Sequence, residues 1–438
     1  MSLKEIFQAK NIAVIGASKH PEKVGHIIFK NLLNNPSLNI FPVNVNEEPI
    51  FGHKTYHDVL EIPYVDVDLA IIVVKAEFVS EVLKQCGMKK IKNAVIISAG
   101  FKETGNVGLE EEIKSISEQY GITLIGPNVL GFINPYRELN ASFFAELPKK
   151  GGLAFISQSG AIGDTILDMA LSRNLGFSGF VSLGNMLDTD VVSSLEYFGE
   201  DRNTKTIIIY IESLKNNTGR EFIDLCKKIS KKKKIIAIKA GKSKNGLEAA
   251  KTHTASVSSP AEIYSAAFKQ SGVIEVDSAR EMLLLAEIFE KFDKIGKKAL
   301  VVGNAGGAGV LISDVLSETG IDLVSLPEKN LNELDKIVPT GYSRRNPLDI
   351  LGDATAQRYK SVLLSLDKEK FFDFFILLLT PQAMTQALET AQILENIKKP
   401  TLCCFIGGDS IDKARKYMKS KGFINFEDIS DLKVLKNI

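Results

Sequence analysis

No stretch of this sequence approaches the roughly 18 consecutive apolar residues that a bilayer crossing needs. The longest, at 374–379, has the length of a strand. The opening residues Met1-Ser2-Leu3-Lys4-Glu5 lack the apolar centre of a secretory leader, so a cytoplasmic protein is expected. Charge of one sign is not in surplus either: 54 Lys and Arg face 53 Asp and Glu. That balance provides no basic field for a polyanion, and nucleic acid is not an expected partner. The four lysines at 231–234 precede an apolar segment and suit a solvated helix end better than a phosphate patch. Cysteine is scarce. Cys86, Cys226, Cys403 and Cys404 lack metal-ligand spacing, and the adjacent pair lies in an apolar run, so reduced, buried thiols are expected. His53 and His57 stand four apart without a third ligand, and no metal site is expected.

What the sequence does have is regular alternation. With 438 residues, 45% hydrophobic and 24% charged, it suits a soluble globular chain of about three domains. Short β-rich apolar runs alternate with helical patterns throughout, the signature of parallel sheets covered by helices. In the first stretch the strand candidates are 12–15, 40–45, 69–74, 94–97 and 123–125. A Gly/Pro/Lys-containing break at 140–152 follows. The second stretch has candidates at 153–156, 179–182, 206–211, 235–238 and 273–276, then a helix at 279–292. Past a Lys/Gly break at 294–298, the third has 299–302, 323–324, 374–379, 402–405 and 422–425. The expectation is an α/β chain of three consecutive doubly wound parallel-sheet domains at 1–140, 150–293 and 296–438.

In such sheets ligands bind beyond the carboxyl ends of the strands, so the turns there carry the information. The first, from Gly16-Ala17-Ser18 through Lys23 to Gly25, lacks G-x-G-x-x-G spacing, and no acid follows the second strand to take a ribose diol. A nicotinamide cofactor is therefore disfavoured, while a phosphate-bearing, nucleotide-like ligand suits a helix start. The second stretch opens on Ser157-Gln158-Ser159-Gly160-Ala161 before an amphipathic helix, which suits a phosphate or oxyanion cradle. A serine nucleophile elbow is the rival reading, with Ser159, Asp190 and His253 in hydrolase order. The elbow's two flanking glycines are replaced by Ser157 and Ala161. Gly241-Lys242-Ser243 imitates the tail of a P-loop whose first glycine would fall on Ile236, inside a strand.

Four of the five histidines lie in the first sixty residues; the fifth, His253, sits in Ala249-Ala250-Lys251-Thr252-His253-Thr254-Ala255-Ser256. That segment is small and hydroxylated, as a mobile loop would be, between an expected strand and the helix start Ser259-Pro260-Ala261-Glu262. An imidazole there suits a nucleophile that travels. Glu212, at the end of the 206–211 strand, is the carboxylate that could orient it.

Together these turns resemble the NDP-forming acyl-CoA synthetases, relatives of the succinyl-CoA synthetases, over essentially the whole chain. The resemblance rests on Ile15-Gly16-Ala17-Ser18 with Gly25, Ser98-Ala99-Gly100-Phe101-Lys102-Glu103, and Gly126-Pro127-Asn128-Val129-Leu130-Gly131 with Asn134. It continues through Ser157-Gln158-Ser159-Gly160, Gly184-Asn185 with Asp188, Tyr210-Ile211-Glu212-Ser213, and Lys239-Ala240-Gly241-Lys242 on to His253-Thr254. Asn304-Ala305-Gly306-Gly307 and Asn346-Pro347-Leu348-Asp349 complete it.

The resemblance implies a Rossmann-like CoA-binding domain followed by two flavodoxin-like ligase domains, in an ADP-forming ligase of the acetate–CoA type. His253 would be the phosphorylated histidine and Glu212 its carboxylate partner, with Ser157, Gln158, Ser159 and Gly160 at the phosphate. Gly16, Ala17, Ser18, Lys23, Gly25, Asn44, Ser98, Ala99 and Asn128 would bind CoA. Ala255 after His-Thr, Lys75 and Val129 depart from the family's common pattern. No part of the chain is left over for an ATP-grasp module. The resemblance therefore implies a separate β subunit holding ADP or ATP and Mg²⁺, in an α2β2 assembly. The alternatives are a CoA or acyl-CoA sensor or scaffold without phosphoryl transfer, and an acyl-CoA hydrolase using Ser159.

Overall fold

Runs such as Thr206-Ile207-Ile208-Ile209-Tyr210-Ile211 are apolar on both faces, which only a strand covered on both sides tolerates. In the computed structural model, which describes residues 3–46, 48–63, 66–248 and 260–438, those runs become the central strands of three sheets. Two compact units hold them, Met1–Met282 and Leu283–Ile438. No helix among the described residues is long and apolar enough to cross a membrane.

The first unit contains two sheets. The first sheet is wholly parallel, in the order β2-β1-β3-β4-β5, from β1 (Asn11–Ile15), β2 (Asn39–Val43), β3 (Leu69–Ile72), β4 (Asn93–Ile96) and β5 (Thr123–Ile125). The chain moves from β1 outward to β2 and then returns to the other side at β3, which opens a crevice at the carboxyl ends of β1 and β3. The helices here are α1 (Leu3–Ile6), α2 (Val24–Leu33), α3 (Ala76–Met88) and α4 (Val107–Tyr120).

The second sheet has seven strands in the order β12-β11-β10-β8-β9-β6-β7. They are β6 (Gly131–Asn134), β7 (Leu139–Ser142), β8 (Lys150–Ser157), β9 (Phe177–Ser182), β10 (Thr206–Ile211), β11 (Lys234–Lys239) and β12 (Ile274–Glu275). With them run α5 (Gly160–Ser172), α6 (Val191–Glu200), α7 (Gly219–Ile229), α8 (Ala261–Ser271) and α9 (Ala279–Lys291), the last carrying the division between units. The order reverses beside β8, so the crevice lies between the ends of β8 and β10.

This sheet differs from expectation at one edge. β6 runs antiparallel to both β9 and β7, and the break expected at 140–152 falls among strands of the same sheet. The two short strands join through the turn Pro135–Arg137, and a β-carbon on Gly131 would lie 2.2 Å from the Ala141 carbonyl oxygen. Four-residue strands interrupted by Gly and Asn carry too little apolar pattern to be read as such. The two sheets share one hydrophobic core. Phe7, just past α1, packs against Phe132 of β6 (4.9 Å between ring centroids) and edge-on against Phe198 of α6 (5.6 Å).

The second unit is built on β14-β13-β16-β17, with β15 also paired to β13: β13 (Lys298–Gly303), β14 (Asp322–Leu323), β15 (Leu348–Asp349), β16 (Phe374–Leu379) and β17 (Thr401–Phe405). The expected strand at 422–425 is corrected: a single bridge, Asn425 beside Cys403, joins the sheet, with the Cys403 N–H donating to the Ile424 carbonyl (2.9 Å) and the Phe426 N–H to the Cys403 carbonyl (2.8 Å). The Asn425 side-chain oxygen also accepts the Phe405 N–H (2.9 Å), so one bridge and an amide close that edge in place of a strand.

Candidate active site

Beyond the end of β8 the chain turns sharply into α5, and its own side chains hold the turn. The Ser157 hydroxyl donates to the Ser159 carbonyl (2.7 Å). Ser159 caps α5 by accepting the Ile162 N–H (3.3 Å). The first turn of α5 has no acidic residue, so its positive end points into the crevice undiminished. Gln158 reaches across to β10: its N–H donates to the Tyr210 carbonyl (3.1 Å), and its side-chain oxygen accepts the N–H groups of Glu212 (2.5 Å) and Ser213 (3.0 Å). Ser157, Gln158 and Glu212, far apart in sequence, are thus buried side by side.

One strand further on, Lys239 ends β11 opposite Ile211, buried like Glu212. Its ammonium donates to the Ala240 carbonyl and lies 4.7 Å over the Tyr264 ring. The Tyr264 hydroxyl in turn accepts the Leu214 N–H (2.8 Å). Burial pulls the Lys239 pKa down, and the Glu212 carboxylate opposes that pull. Burial pushes the Tyr210 hydroxyl up to about 12, and the Glu212 charge pushes the same way. The crevice thus pairs a buried carboxylate with a buried ammonium beside a helix N-terminus, an arrangement suited to orienting an imidazole and holding a tetrahedral anion. Lys239 and Tyr264 received no role from the sequence, because only the fold sets Lys239 near Glu212 and Tyr264 under Lys239.

Asp190, the acid of the serine reading, stands at a helix start. Its carboxylate caps α6, accepting the Ser193 N–H (2.9 Å) in a capping box. Ser159 and Asp190 thus each cap a helix.

The turns expected to hold CoA converge on the other crevice. Gly16 follows β1 with φ +92°, and its N–H donates to the Val43 carbonyl (2.9 Å). A β-carbon on Gly25 would lie 2.0 Å from the Gly16 carbonyl oxygen, so the first turn of α2 touches the loop backbone. The Asn44 amide donates to the Ala17 carbonyl (2.8 Å), and the Ser18 hydroxyl accepts the His20 N–H (3.1 Å). Lys23 and Ala99 are exposed at the rim. Ser98 donates to the Val74 carbonyl, and its own carbonyl accepts the Asn128 N–H (2.9 Å), with Asn128 at φ +64°. Small side chains and closely packed backbone at these turns suit a loop that cradles phosphate through its N–H groups.

His253 lies outside the described residues, as does Ser259 of the expected helix start; α8 begins after Pro260. Lys242 belongs to no P-loop: it pairs with Glu275 and Asp277, each at 2.7 Å. In the second unit, Asn304 is buried and pins Thr380 through its N–H (2.9 Å) and carbonyl (2.9 Å). A cleft of about 360 Å³ beside it is lined by Gly306, Gly309, Arg345, Pro347 and Asp349.

Three family models match in succession: a CoA binding domain at residues 10–135, a succinyl-CoA ligase like flavodoxin domain at 150–289, and a ligase-CoA domain at 299–435. The chain is 40% identical to the acetate–CoA ligase [ADP-forming] II subunit alpha of Pyrococcus furiosus, over 98% of this chain and 95% of that one. It is also 40% identical to acetate–CoA ligase [ADP-forming] I of Archaeoglobus fulgidus, over 97% of its own residues but only 62% of that protein's length. Among solved structures it is similar to the dinucleotide forming acetyl-coenzyme A synthetase 1 of Ca. Korarchaeum cryptofilum in complex with phosphate and ADP. There the TM-score is 0.93 at 35% identity, covering 100% of this chain and 96% of that one.

Proposed function

The chain belongs to the family of ADP-forming acyl-CoA synthetases of the acetate–CoA ligase type, and from that footing we propose that it is the α subunit of such an enzyme, working in the cytoplasm. It interconverts acyl-CoA, ADP and phosphate with carboxylic acid, ATP and CoA, through an acyl phosphate and phosphorylated His253. Phosphate attacks the thioester carbon and CoA leaves as the thiol; an imidazole nitrogen of His253 then takes the phosphoryl group and releases the carboxylate. Transfer from His253 to ADP regenerates the imidazole. The observation that carries this reading is the crevice in which Gln158 ties the Ser157–Gly160 turn to Glu212.

In this reading Glu212 orients the His253 ring and stabilises its charged form, and the α5 N-terminus with Ser159 and Gly160 holds the phosphate. Gly16, Ala17, Ser18, Lys23, Gly25, Ser98, Ala99 and Asn128 cradle CoA, with Asn44 holding the turn from behind. The working division is 1–140 for CoA, 150–293 for the histidine loop, and 296–438 for the second ligase domain. A separate ATP-grasp β chain supplies the ADP and Mg²⁺ site in an α2β2 assembly. Relatives of two lengths support this: one named as an α subunit is matched nearly end to end, while a longer single-chain relative extends well beyond the matched part.

Incubation with acetyl-CoA and labelled phosphate, followed by mass spectrometry, tests the reading. Alkali-stable, acid-labile label is expected at His253, absent in His253→Ala, which should still bind CoA. Label on another residue, or none with any acyl-CoA even after adding a β chain, overturns it. ATP formation by the lone chain would overturn the two-subunit part.

A further inference from the structure

The segment after β9 lies along the end of β5. Asn185 N–H donates to the Pro127 carbonyl (3.0 Å), Leu187 N–H to Gly126 (3.0 Å) and Thr189 N–H to Leu124 (3.1 Å), while the Asp188 carboxylate accepts the Leu124 N–H (2.9 Å). A β-carbon on Gly184 would fall 2.2 Å from the Pro127 carbonyl oxygen, so the two backbones touch. Strand β9 neighbours β8, whose end carries the Ser157–Gly160 turn, whereas the 126–128 turn belongs to the CoA side. The strap therefore joins the two crevices.

At its centre is the Asn185 amide. The nitrogen donates to Glu103 Oε2 (2.6 Å) and to Glu110 Oε2 (2.7 Å), one hydrogen for each carboxylate. The oxygen faces the Asn128 amide nitrogen at 3.5 Å. Glu103 passes the restraint on, its other oxygen accepting the N–H groups of Gly100 (2.6 Å) and Phe101 (3.2 Å). Glu110 accepts the Lys102 N–H (3.4 Å). One neutral amide thus keeps two carboxylates apart and fastens the 98–102 turn to the phosphate-side sheet.

We propose that Asn185 is a positioning residue for acyl transfer, holding the CoA-side turns in register with the Ser157–Gly160 turn. The proposal rests on the ligase reading above and adds to it a residue that touches neither reactant. Attack of phosphate on a thioester needs the two held to within a fraction of an ångström, and a misplacement of about 1 Å can cost about 100-fold. The other charged groups near the strap are already engaged. Asp188 is bonded to Leu124, and the Lys215 ammonium donates to the Leu187 (3.0 Å) and Asp188 (2.7 Å) carbonyls. Asp190 and Lys114 also act on Lys215.

Asn185→Asp, in the chain assembled with its partner, is the diagnostic variant. It replaces the donor with a third carboxylate, so one of the three must hold a proton and its pKa rises. A group whose pKa is raised in the fold supports the fold when protonated and ceases to as pH rises. The loss should therefore be greatest at alkaline pH: kcat/KM for acyl-CoA about tenfold to 100-fold below wild type at pH 8, recovering towards it near about pH 5.5. Adding Glu110→Gln to Asn185→Asp should restore much of the loss at pH 8. Asn185→Ala, which removes the donor but adds no charge, should lower kcat/KM with a smaller alkaline loss than Asn185→Asp. It serves as the test if Asn185→Asp does not fold. An active wild type beside an Asn185→Asp or Asn185→Ala enzyme of unchanged kcat/KM overturns the positioning role alone. A wild type that forms no phosphohistidine from any acyl-CoA overturns the ligase reading and this proposal with it.

Discussion

Glu212 stands out in the sequence because it ends a strongly apolar strand, where a carboxylate faces the ligand side of a parallel sheet. Gln158 is expected only as part of the phosphate turn, although its side chain holds the backbone on which Glu212 is mounted. Their partnership spans 54 positions and exists only because β8 and β10 are neighbours. Removing that amide strands two buried N–H groups, each costing about 1–3 kcal/mol. Gln158→Ala should therefore lower the denaturant midpoint and also reduce labelling of His253. Glu212→Gln keeps the shape and removes the charge, so labelling should fall while stability changes little. Equal labelling in Glu212→Gln and wild type would exclude an electrostatic role. Lys239 and Asn185 share the fate of Gln158: a lysine in one motif and an asparagine in another acquire roles only from what folds beside them.

At the level of elements, period and turn chemistry read well where strands are buried on both faces. The central strands of all three sheets fall within a few residues of the apolar runs that announce them. Legibility fails where the apolar pattern is short, as in β6 and β7 and at 422–425, where one bridge replaces a strand. The glycine turns were visible as glycines, but the reason for each is a contact. In sequence Gly25 closes a turn expected to hold CoA, and in the fold it meets the Gly16 carbonyl. Gly25→Ala should force the first turn of α2 off the loop and abolish CoA binding, measured calorimetrically. Transfer of a phosphoryl group between phosphorylated His253 and ADP, which requires no CoA, should survive. CoA affinity within about threefold of wild type, a change below about 1 kcal/mol, would mean that the helix does not shape that site.

For the whole molecule, four scattered cysteines with no ligand spacing become four buried thiols. Burial pushes Cys86, Cys226, Cys403 and Cys404 up to about 12. In the unfolded chain such thiols ionise near about 8.5. An acid whose pKa is raised by folding favours the fold below the unfolded value and loses that contribution as pH climbs to the folded one. Stability to denaturant should therefore decline from about pH 8.5 towards 12. Thiol reagents at pH 8 should react with the four only after unfolding; fast reaction of the native protein would contradict the packing. Composition and periodicity alone determined the α/β class, the succession of parallel sheets and the turns at their carboxyl ends, because burial on two faces and helix-start chemistry are local demands written along the chain. Only the tertiary structure decided that the first two sheets share a core through Phe7, that Gln158 meets Glu212, and that Asn185 bridges two carboxylates. Those pairings depend on which strand lies beside which, and no local pattern of residues encodes that.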